Sequence, residues 1–369
     1  MHIDRIDIVH VAMPLVYPFR TAYGEDWSVE GVLVRLCSGG LYGWGEATPL
    51  AAPAYSPEAA LTQFVVAREF VAPRLLGQDI PSGDDLQAQL ACIKGNYFAK
   101  AAFDLAWWDL HAKERGEPLW RLLGGERTTV EAGADFGVLD SIDDLVAVVG
   151  TALEQGYPRV KLKFRPGWEL DMLSSVREAY PNARLHVDCN SAYTLDDLAM
   201  LRELDRFGLA MIEQPLAHDD LIDHAALQKE LATPVCLDES ITSPAKARKA
   251  AQIGACGWVN VKPGRVGGLT QAKAVHDVCR AAGLPCWVGG MLESAVGAHH
   301  CLALATLPNM RYPSDLFPST RFYARDLGAP SMHHSAPGQF KVPDVPGAGC
   351  EPEPEMLAQC TKQRATLSA

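Results

Sequence analysis

Lys163, Asp188, Glu213, Asp238 and Lys262 recur at intervals of about 25 residues, the length of one strand-helix unit. Each stands at the end of a short apolar run, at 159–164, 185–190, 210–215, 235–240 and 259–263. Adjacent strands of a sheet lie about 4.8 Å apart, so carboxylates ending three successive strands can converge on one ion. An all-oxygen set of this kind suits a hard divalent cation, Mg²⁺ before Mn²⁺. Pairing each acid with a Lys or Arg would explain any one of them. Three in register without a metal would gather negative charge in a low-dielectric site, which is strongly unfavourable.

The two lysines complete a chemistry. In a ring of eight strands the second and sixth are opposite, so Lys163 and Lys262 face each other across the mouth, with Asp188, Glu213 and Asp238 between them. Strand alternation turns Lys161 inward with Lys163. Two lysines flanking one carbon suit removal of a proton from one face and its return from the other. To act as a base, a lysine must fall from ~10.4 towards ~7, at a cost of ~4 kcal/mol. A nearby metal, burial and the Lys161 charge all push in that direction. The metal would also hold a substrate carboxylate and stabilise the enediolate left when the α-proton departs. The plainer reading of an inward strand-end lysine is an ion pair.

Positioning these residues takes a repeating fold. The first strand of the series is expected at 130–138 and a helix at 142–154. Lys163 is then on the second strand, Asp188 on the third, Glu213 on the fourth, Asp238 on the fifth, Lys262 on the sixth and Gly289-Gly290 at the end of the seventh. Seven or more such units imply a parallel sheet closed into a barrel. Residues 1–125 form a separate α+β unit, with strand patterns at 3–13, 31–37 and 43–48 and helical patterns at 56–75 and 97–115. The barrel takes 126–325, and the Pro- and Gly-rich 326–369 packs back on the first unit or frays.

A net charge of −12 without a basic run argues against nucleic acid and anionic membranes as partners. No apolar stretch reaches the ~18 residues of a membrane span, and the first residues alternate like a strand rather than forming a signal-peptide core. A cytoplasmic enzyme is expected. The ten cysteines show no CxxC pair and read as buried reduced thiols. His299-His300 reads as surface or packing rather than as ligands. The glycines at 264–268 and 289–290 could cradle a phosphate, which makes a phosphosugar isomerase a competing class, though one with no need of three aligned acids. A non-catalytic barrel is a third reading, disfavoured because both lysines and all three acids are present.

The motifs resemble the enolase superfamily, muconate-lactonizing subgroup: Lys161-Leu162-Lys163, Asp188-Cys189-Asn190, Glu213-Gln214-Pro215, Asp238-Glu239-Ser240 and Lys262-Pro263-Gly264-Arg265 followed by Val266-Gly267-Gly268. A Lys or His base with Mg²⁺ is the general pattern of that superfamily. Within it the chain is similar to the o-succinylbenzoate synthase and N-succinylamino acid racemase family. The similarity lies in Met13-Pro14-Leu15, Pro18-Phe19-Arg20-Thr21, Gly43-Trp44-Gly45-Glu46, Pro166-Gly167-Trp168, Gly289-Gly290-Met291-Leu292-Glu293-Ser294 and Arg321-Phe322-Tyr323.

That resemblance implies an α/β fold, a modified TIM (β/α)7β barrel with an N-terminal α+β capping domain, and a homo-oligomer acting on a small carboxylate. It implies Lys163 and Lys262 as catalytic and Asp188, Glu213 and Asp238 as metal ligands. Around the substrate it places Phe19, Arg20, Tyr23, Leu50 and Tyr55 from the cap, and Lys161, Asn190, Gly290, Met291, Leu292, Glu293 and Phe317 from the barrel. Asp135 joins them as a departure, standing where relatives carry a small hydroxyl or apolar residue. It either faces the mouth, where it would repel a succinyl group unless paired, or it pairs with Lys161 or turns aside. Leu316-Phe317-Pro318 is likewise bulkier than usual. The implied reactions are syn-dehydration to o-succinylbenzoate, N-acylamino acid racemisation, or both. Muconate-type cycloisomerisation and dipeptide epimerisation are the alternatives; epimerases usually carry Asp-x-Asp where this chain has Met291-Leu292-Glu293.

Overall fold

The computed structural model describes residues 1–21 and 24–369. Strands are numbered in chain order. Three antiparallel strands, β1 (Arg5–Thr21), β2 (Gly24–Ser38) and β3 (Leu41–Ala47), open the chain. Their apolar residues Ile6, Ile8, Val32, Val34 and Leu36 are fully buried. Helix Tyr97–Arg115 lies directly on β3 because Gly43 and Gly45 have no side chains there. A Cβ at these positions would sit 2.3 Å from the Ala106 carbonyl and 2.2 Å from that of Ala102. The helix starts where Glu58 accepts hydrogen bonds from the Tyr97 and Phe98 amides at 2.7 and 2.9 Å, an anion on a helix N-terminus. The β1–β2 hairpin runs well beyond the expected 3–13 and reaches the barrel, where the Val138 amide donates to the Arg20 carbonyl.

The expected strand at 130–138 is two pieces. β4 (Thr129–Glu131) leaves the barrel to pair with the tail, and only β5 (Ala134–Phe136) joins it. The break falls at Gly133, whose bare Cα is pressed against the Arg159 side chain. Next come β6 (Val160–Lys163), β7 (Leu185–Asp188), β8 (Ile212–Glu213), β9 (Val235–Leu237), β10 (Trp258–Val261) and β11 (Cys286–Val288). With β5 they form a seven-stranded parallel sheet in sequence order. Residues 309–315 close the ring: Arg311 donates to the Cys286 carbonyl and Asp315 to that of Val288, while on the other side Ser314 donates to Glu131 and Gly133 to Ser314. The fold is thus a capped, modified TIM barrel with an irregular eighth strand.

The tail adds β12 (Gly328–Ala329), β13 (Gln339–Lys341), β14 (Glu351–Pro352) and β15 (Thr361–Ser368). β12 pairs with β14 and β13 with β4, while β15 pairs antiparallel with β1, extending the first sheet to four strands. The helical pattern expected at 56–75 begins only at Ala60 and passes through a π turn at Ala67–Val71. All ten cysteines are free thiols; eight are buried, whereas Cys37 is half-buried and Cys92 exposed. Among the described residues no helix is long and apolar enough to cross a membrane.

Two carboxylates of the cap are fixed on barrel helices. Asp104 accepts from the Thr270 amide at 3.0 Å, in the first turn of helix Leu269–Ala281. Glu46 on β3 accepts from the Ser294 and Gly297 amides, both at 2.9 Å, and from the Ser294 hydroxyl, at the start of helix Ala295–Ala305. Burial outweighs these donors and pushes Glu46 up to about 7 and Asp104 to about 6. Because the folded Glu46 holds its proton more tightly than an unfolded one, its contribution to stability is complete below about 4.5. It is lost as pH rises through about 7 and amounts to roughly 3 kcal/mol. Urea midpoints measured from pH 5 to 8 should therefore fall more steeply for the wild type than for Glu46→Gln. Parallel curves would contradict the assignment.

Candidate active site

Ladder register sets the acids and lysines side by side. Lys163 is opposite Asp188 across β6 and β7, and Asp188 is opposite Glu213 across β7 and β8. Asp238 follows directly on β9, and Lys262 on β10. Lys163 Nζ donates to Asp188 Oδ2 at 2.7 Å and to Asn190 Oδ1 at 3.0 Å. Lys161 Nζ lies 2.9 Å from Asp188 Oδ2, 3.0 Å from Glu213 Oε2 and 3.2 Å from Asp315 Oδ2. Lys262 Nζ donates to Asp238 Oδ2 at 2.9 Å and lies 4.5 Å from the centre of the Tyr55 ring.

The ammonium groups occupy the space between the acids. Accordingly, among the described residues no three His, Cys, Asp or Glu side chains come together as a shell around a single ion. The donor set nonetheless fits a hard cation. Asp188, Glu213 and Asp238 offer buried carboxylate oxygens at the ends of successive strands. Glu213 Oε1 accepts from Asn260 at 2.7 Å, but its Oε2 is buried with no aligned hydrogen-bond donor among the described residues, despite the nearby Lys161 and His186. The same is true of Glu239 Oε2.

Burial alone would raise Asp188, but Lys161 and Lys163 outweigh it and hold the carboxyl far below its ordinary range. Conversely, burial would lower Lys161, yet Asp188, Asp315 and Glu213 hold it well above the usual lysine value. Lys262 is also raised: burial and Lys161 would lower it, but Tyr55 first, then Glu213 and Glu239, raise it by more. The downward shift expected of a lysine base is therefore absent at Lys262, where its neighbours outweigh burial.

A narrow cavity lies above this cluster, roofed by the cap. Of the residues expected around a substrate, Phe19, Leu50, Tyr55, Asp135, Lys161, Asn190, Gly290, Met291, Leu292 and Phe317 line it, together with Lys163 and Lys262. Asp188, Glu213 and Asp238 lie at its floor through their bonds to the lysines. Two expected residues are elsewhere. Arg20 points outward to Glu25 and Asp140, at 2.7 and 2.6 Å. Glu293 turns behind the wall, where its Oε2 accepts from the Met291 amide at 2.8 Å. Tyr23 lies outside the described residues. Several site residues that are not glycine have left-handed backbones: Leu50 (φ 75°), Asn190 (44°), Gln214 (39°) and Leu292 (58°), a concentration of strain typical of functional sites.

The sequence reading missed the supports. Asp315 on the irregular eighth strand bonds Lys161 and also the fully buried Arg159. Arg265 contacts Asp238, donates to the Tyr55 hydroxyl at 3.1 Å and to the Ile241 carbonyl at 3.0 Å. Asp26 is a further carboxylate on the cavity. Arg265 stood within a recognised motif; no spacing signal marked Asp315.

Comparisons with known proteins agree with this geometry. The family model "Mandelate racemase / muconate lactonizing enzyme, N-terminal domain" matches residues 4–124, and "Enolase C-terminal domain-like" matches 144–356. The chain is 42% identical over 364 residues to an o-succinylbenzoate synthase of Geobacillus kaustophilus, covering 98% of this chain and 96% of that one. It is also 42% identical over 369 residues to an N-succinylamino acid racemase of Thermus thermophilus, with all of both chains covered. A solved enolase-superfamily structure from Listeria innocua superposes with a TM-score of 0.96 at 35% identity, covering 100% of this chain and 99% of that one.

Asp315 carries the charge of two buried cations. Asp315→Ala should lower unfolding free energy by about 3 kcal/mol or more, because it leaves Arg159 buried without its anion. Replacing both partners, Arg159→Met with Asp315→Leu, should cost less than Asp315→Ala. Chemical denaturation of the three variants reads this, and a double variant weaker than the single one would refute it.

Proposed function

The chain belongs to the mandelate racemase and muconate lactonizing enzyme family of the enolase superfamily, and we propose that it removes a proton α to a carboxylate, as an o-succinylbenzoate synthase, an N-acylamino acid racemase, or both. One observation carries the reading: Lys163 and Lys262 reach a single cavity from strands separated by three others, each tied to a strand-end acid. Relatives bearing both names match the whole chain equally well.

In this reading Asp188, Glu213 and Asp238 hold Mg²⁺, with Mn²⁺ as substitute, which supplies a Lewis acid for the substrate carboxylate and the charge that develops there. Everything else comes from the chain. Lys163, oriented by Asp188 and Asn190, takes the α-proton from one face. Lys262, held over the Tyr55 ring by Asp238, returns one from the other. Lys262 can accept a proton only when the anionic neighbours that now raise its pKa are otherwise neutralised. Lys161, gripped by three acids, stays a fixed positive charge beside the substrate carboxylate. Phe19, Leu50 and Tyr55 exclude water from above. For syn-dehydration Lys163 serves as both base and acid, and Lys262 stabilises the anion by its charge.

The division into cap (1–125), barrel (126–325) and returning segment (326–369) goes with this reading. So do a cytoplasmic location, which the ten free thiols support, and a homo-oligomer, which the exposed Leu61, Val65 and Phe70 support.

With an N-acyl amino acid in deuterium oxide, Lys163→Ala and Lys262→Ala should each slow racemisation by at least ~10³-fold. Each should retain α-deuterium exchange of only the enantiomer facing the surviving lysine, as read by NMR. Wild-type racemisation by Lys262→Ala would eliminate the two-base reading. Separately, EDTA should abolish turnover and added Mg²⁺ restore it; full activity in metal-free buffer would rule out the metal.

A further inference from the structure

Below the strand-end acids the barrel interior holds another layer of side chains, and one of them meets Glu213. His186 stands two residues before Asp188 on β7, so the two share the inner face of the strand, with His186 opposite Lys161 in the ladder. Its imidazole is fully buried. Trp287 and Tyr312 hold the ring from two sides, their ring centres 5.5 and 5.4 Å away and both planes inclined at 65° to it. The two ring nitrogens meet different partners. Nδ1 lies 3.1 Å from the Tyr312 hydroxyl, and Nε2 lies 3.4 Å from Glu213 Oε2. Nε2 and Oε2 are both buried, and neither has an aligned partner among the described residues.

Leaving a buried donor and a buried acceptor unpaired is unfavourable, and at this separation each is within reach of the other. Lys161, the other cation near Oε2, is divided among Asp188, Glu213 and Asp315. Hydrogen-bond chemistry then assigns the tautomer. A carboxylate only accepts, so a bond to Oε2 needs the proton on Nε2; Nδ1 is left as the acceptor for the Tyr312 hydroxyl. The opposite tautomer would set a nitrogen lone pair against the carboxylate. Glu213 is gripped on its other side too, where Asn260 Nδ2 donates to Oε1 at 2.7 Å. Because each oxygen has two lone pairs, both bonds leave room for a cation. We propose that His186 is a positioning residue for the metal: its Nε2–H, fixed by Tyr312, orients Glu213 Oε2 as a ligand and completes with Asn260 a two-sided hold on that carboxylate. This rests on Asp188, Glu213 and Asp238 being the Mg²⁺ ligands and deepens that reading. Donors behind a ligand commonly change metal affinity by about 10- to 100-fold.

The test measures Mg²⁺ and Mn²⁺ affinity of the full chain by calorimetry, for the wild type, His186→Leu, His186→Gln and Tyr312→Phe, with urea midpoints to confirm that each variant is folded. His186→Leu should weaken both Kd values by at least about tenfold. His186→Gln, whose amide N–H stands in for Nε2–H, should recover most of that loss, which a side chain that merely filled space would not require. Selective 15N-histidine spectra of the metal-free protein supply a readout that needs no metal. The signal missing from His186→Gln should belong to a neutral ring protonated at Nε2, and Tyr312→Phe should move it towards the other tautomer. Unchanged affinity in His186→Leu, His186→Gln binding no more tightly than His186→Leu, or a wild-type His186 protonated at Nδ1 overturns the proposal. A wild type that binds neither ion overturns the metal reading instead, and the tautomer then still decides whether His186 supports Glu213.

Discussion

Carboxylates buried at the ends of neighbouring strands must be neutralised where they stand, and most of the barrel's polar interior answers that need. Asp188, Glu213 and Asp238 cannot reach water, so each is matched by a cation delivered from another strand. Lys161 spans Asp188, Glu213 and Asp315, while Arg265 and Lys262 share Asp238. Removing one member of such a cluster exposes the rest to an uncompensated charge, which costs far more than an isolated surface pair gains. The same arrangement poises the site: Lys161 and Lys262 are held protonated by the groups around them, so their proton affinity depends on what else those groups bind.

The convergence of Lys163, Asp188, Glu213, Asp238 and Lys262 was legible because a strand-end position recurs with the length of the βα unit, and a side chain there has only one place to point. Helices 97–115 and 142–154 were legible to their termini because Gly116 and Ser141 mark them. What failed to show was whatever broke the repeat. The first barrel strand divides at Gly133, where Arg159 needs the room, and nothing in a run of apolar residues announces that. The eighth strand contains Pro313 and is held by scattered main-chain bonds, so Asp315, its most important side chain, lay outside any pattern. Arg20 and Glu293 were adjacent in sequence to cavity residues, yet alternation and a turn carried both away. The direction of the lysine shifts needed the full set of neighbours; burial alone argued for the opposite sign.

The cap is anchored to the barrel by carboxylates rather than by apolar contact alone. Asp104 and Glu46 each take up amides at the start of a barrel helix, so cap side chains complete the hydrogen bonding of helices they do not belong to. Glycines at 43 and 45 let β3 and helix Tyr97–Arg115 approach closely enough to act as one slab behind that contact. Phe19, Leu50 and Tyr55 thus overhang the lysines from a support that is itself fixed to the barrel.

Closure of the ring through main-chain atoms between 309 and 315 bears on how such a barrel diverges. Beyond Asp315, the side chains from Leu316 to Pro318 lie outside the closing hydrogen bonds and outside the ion cluster, yet Phe317 forms part of the cavity wall. A lineage can therefore vary that wall, and with it the molecules admitted, while the cluster of lysines and carboxylates passes unchanged from ancestor to descendant. Substrate range and reaction type are then inherited on separate stretches of chain, and selection can act on one without disturbing the other.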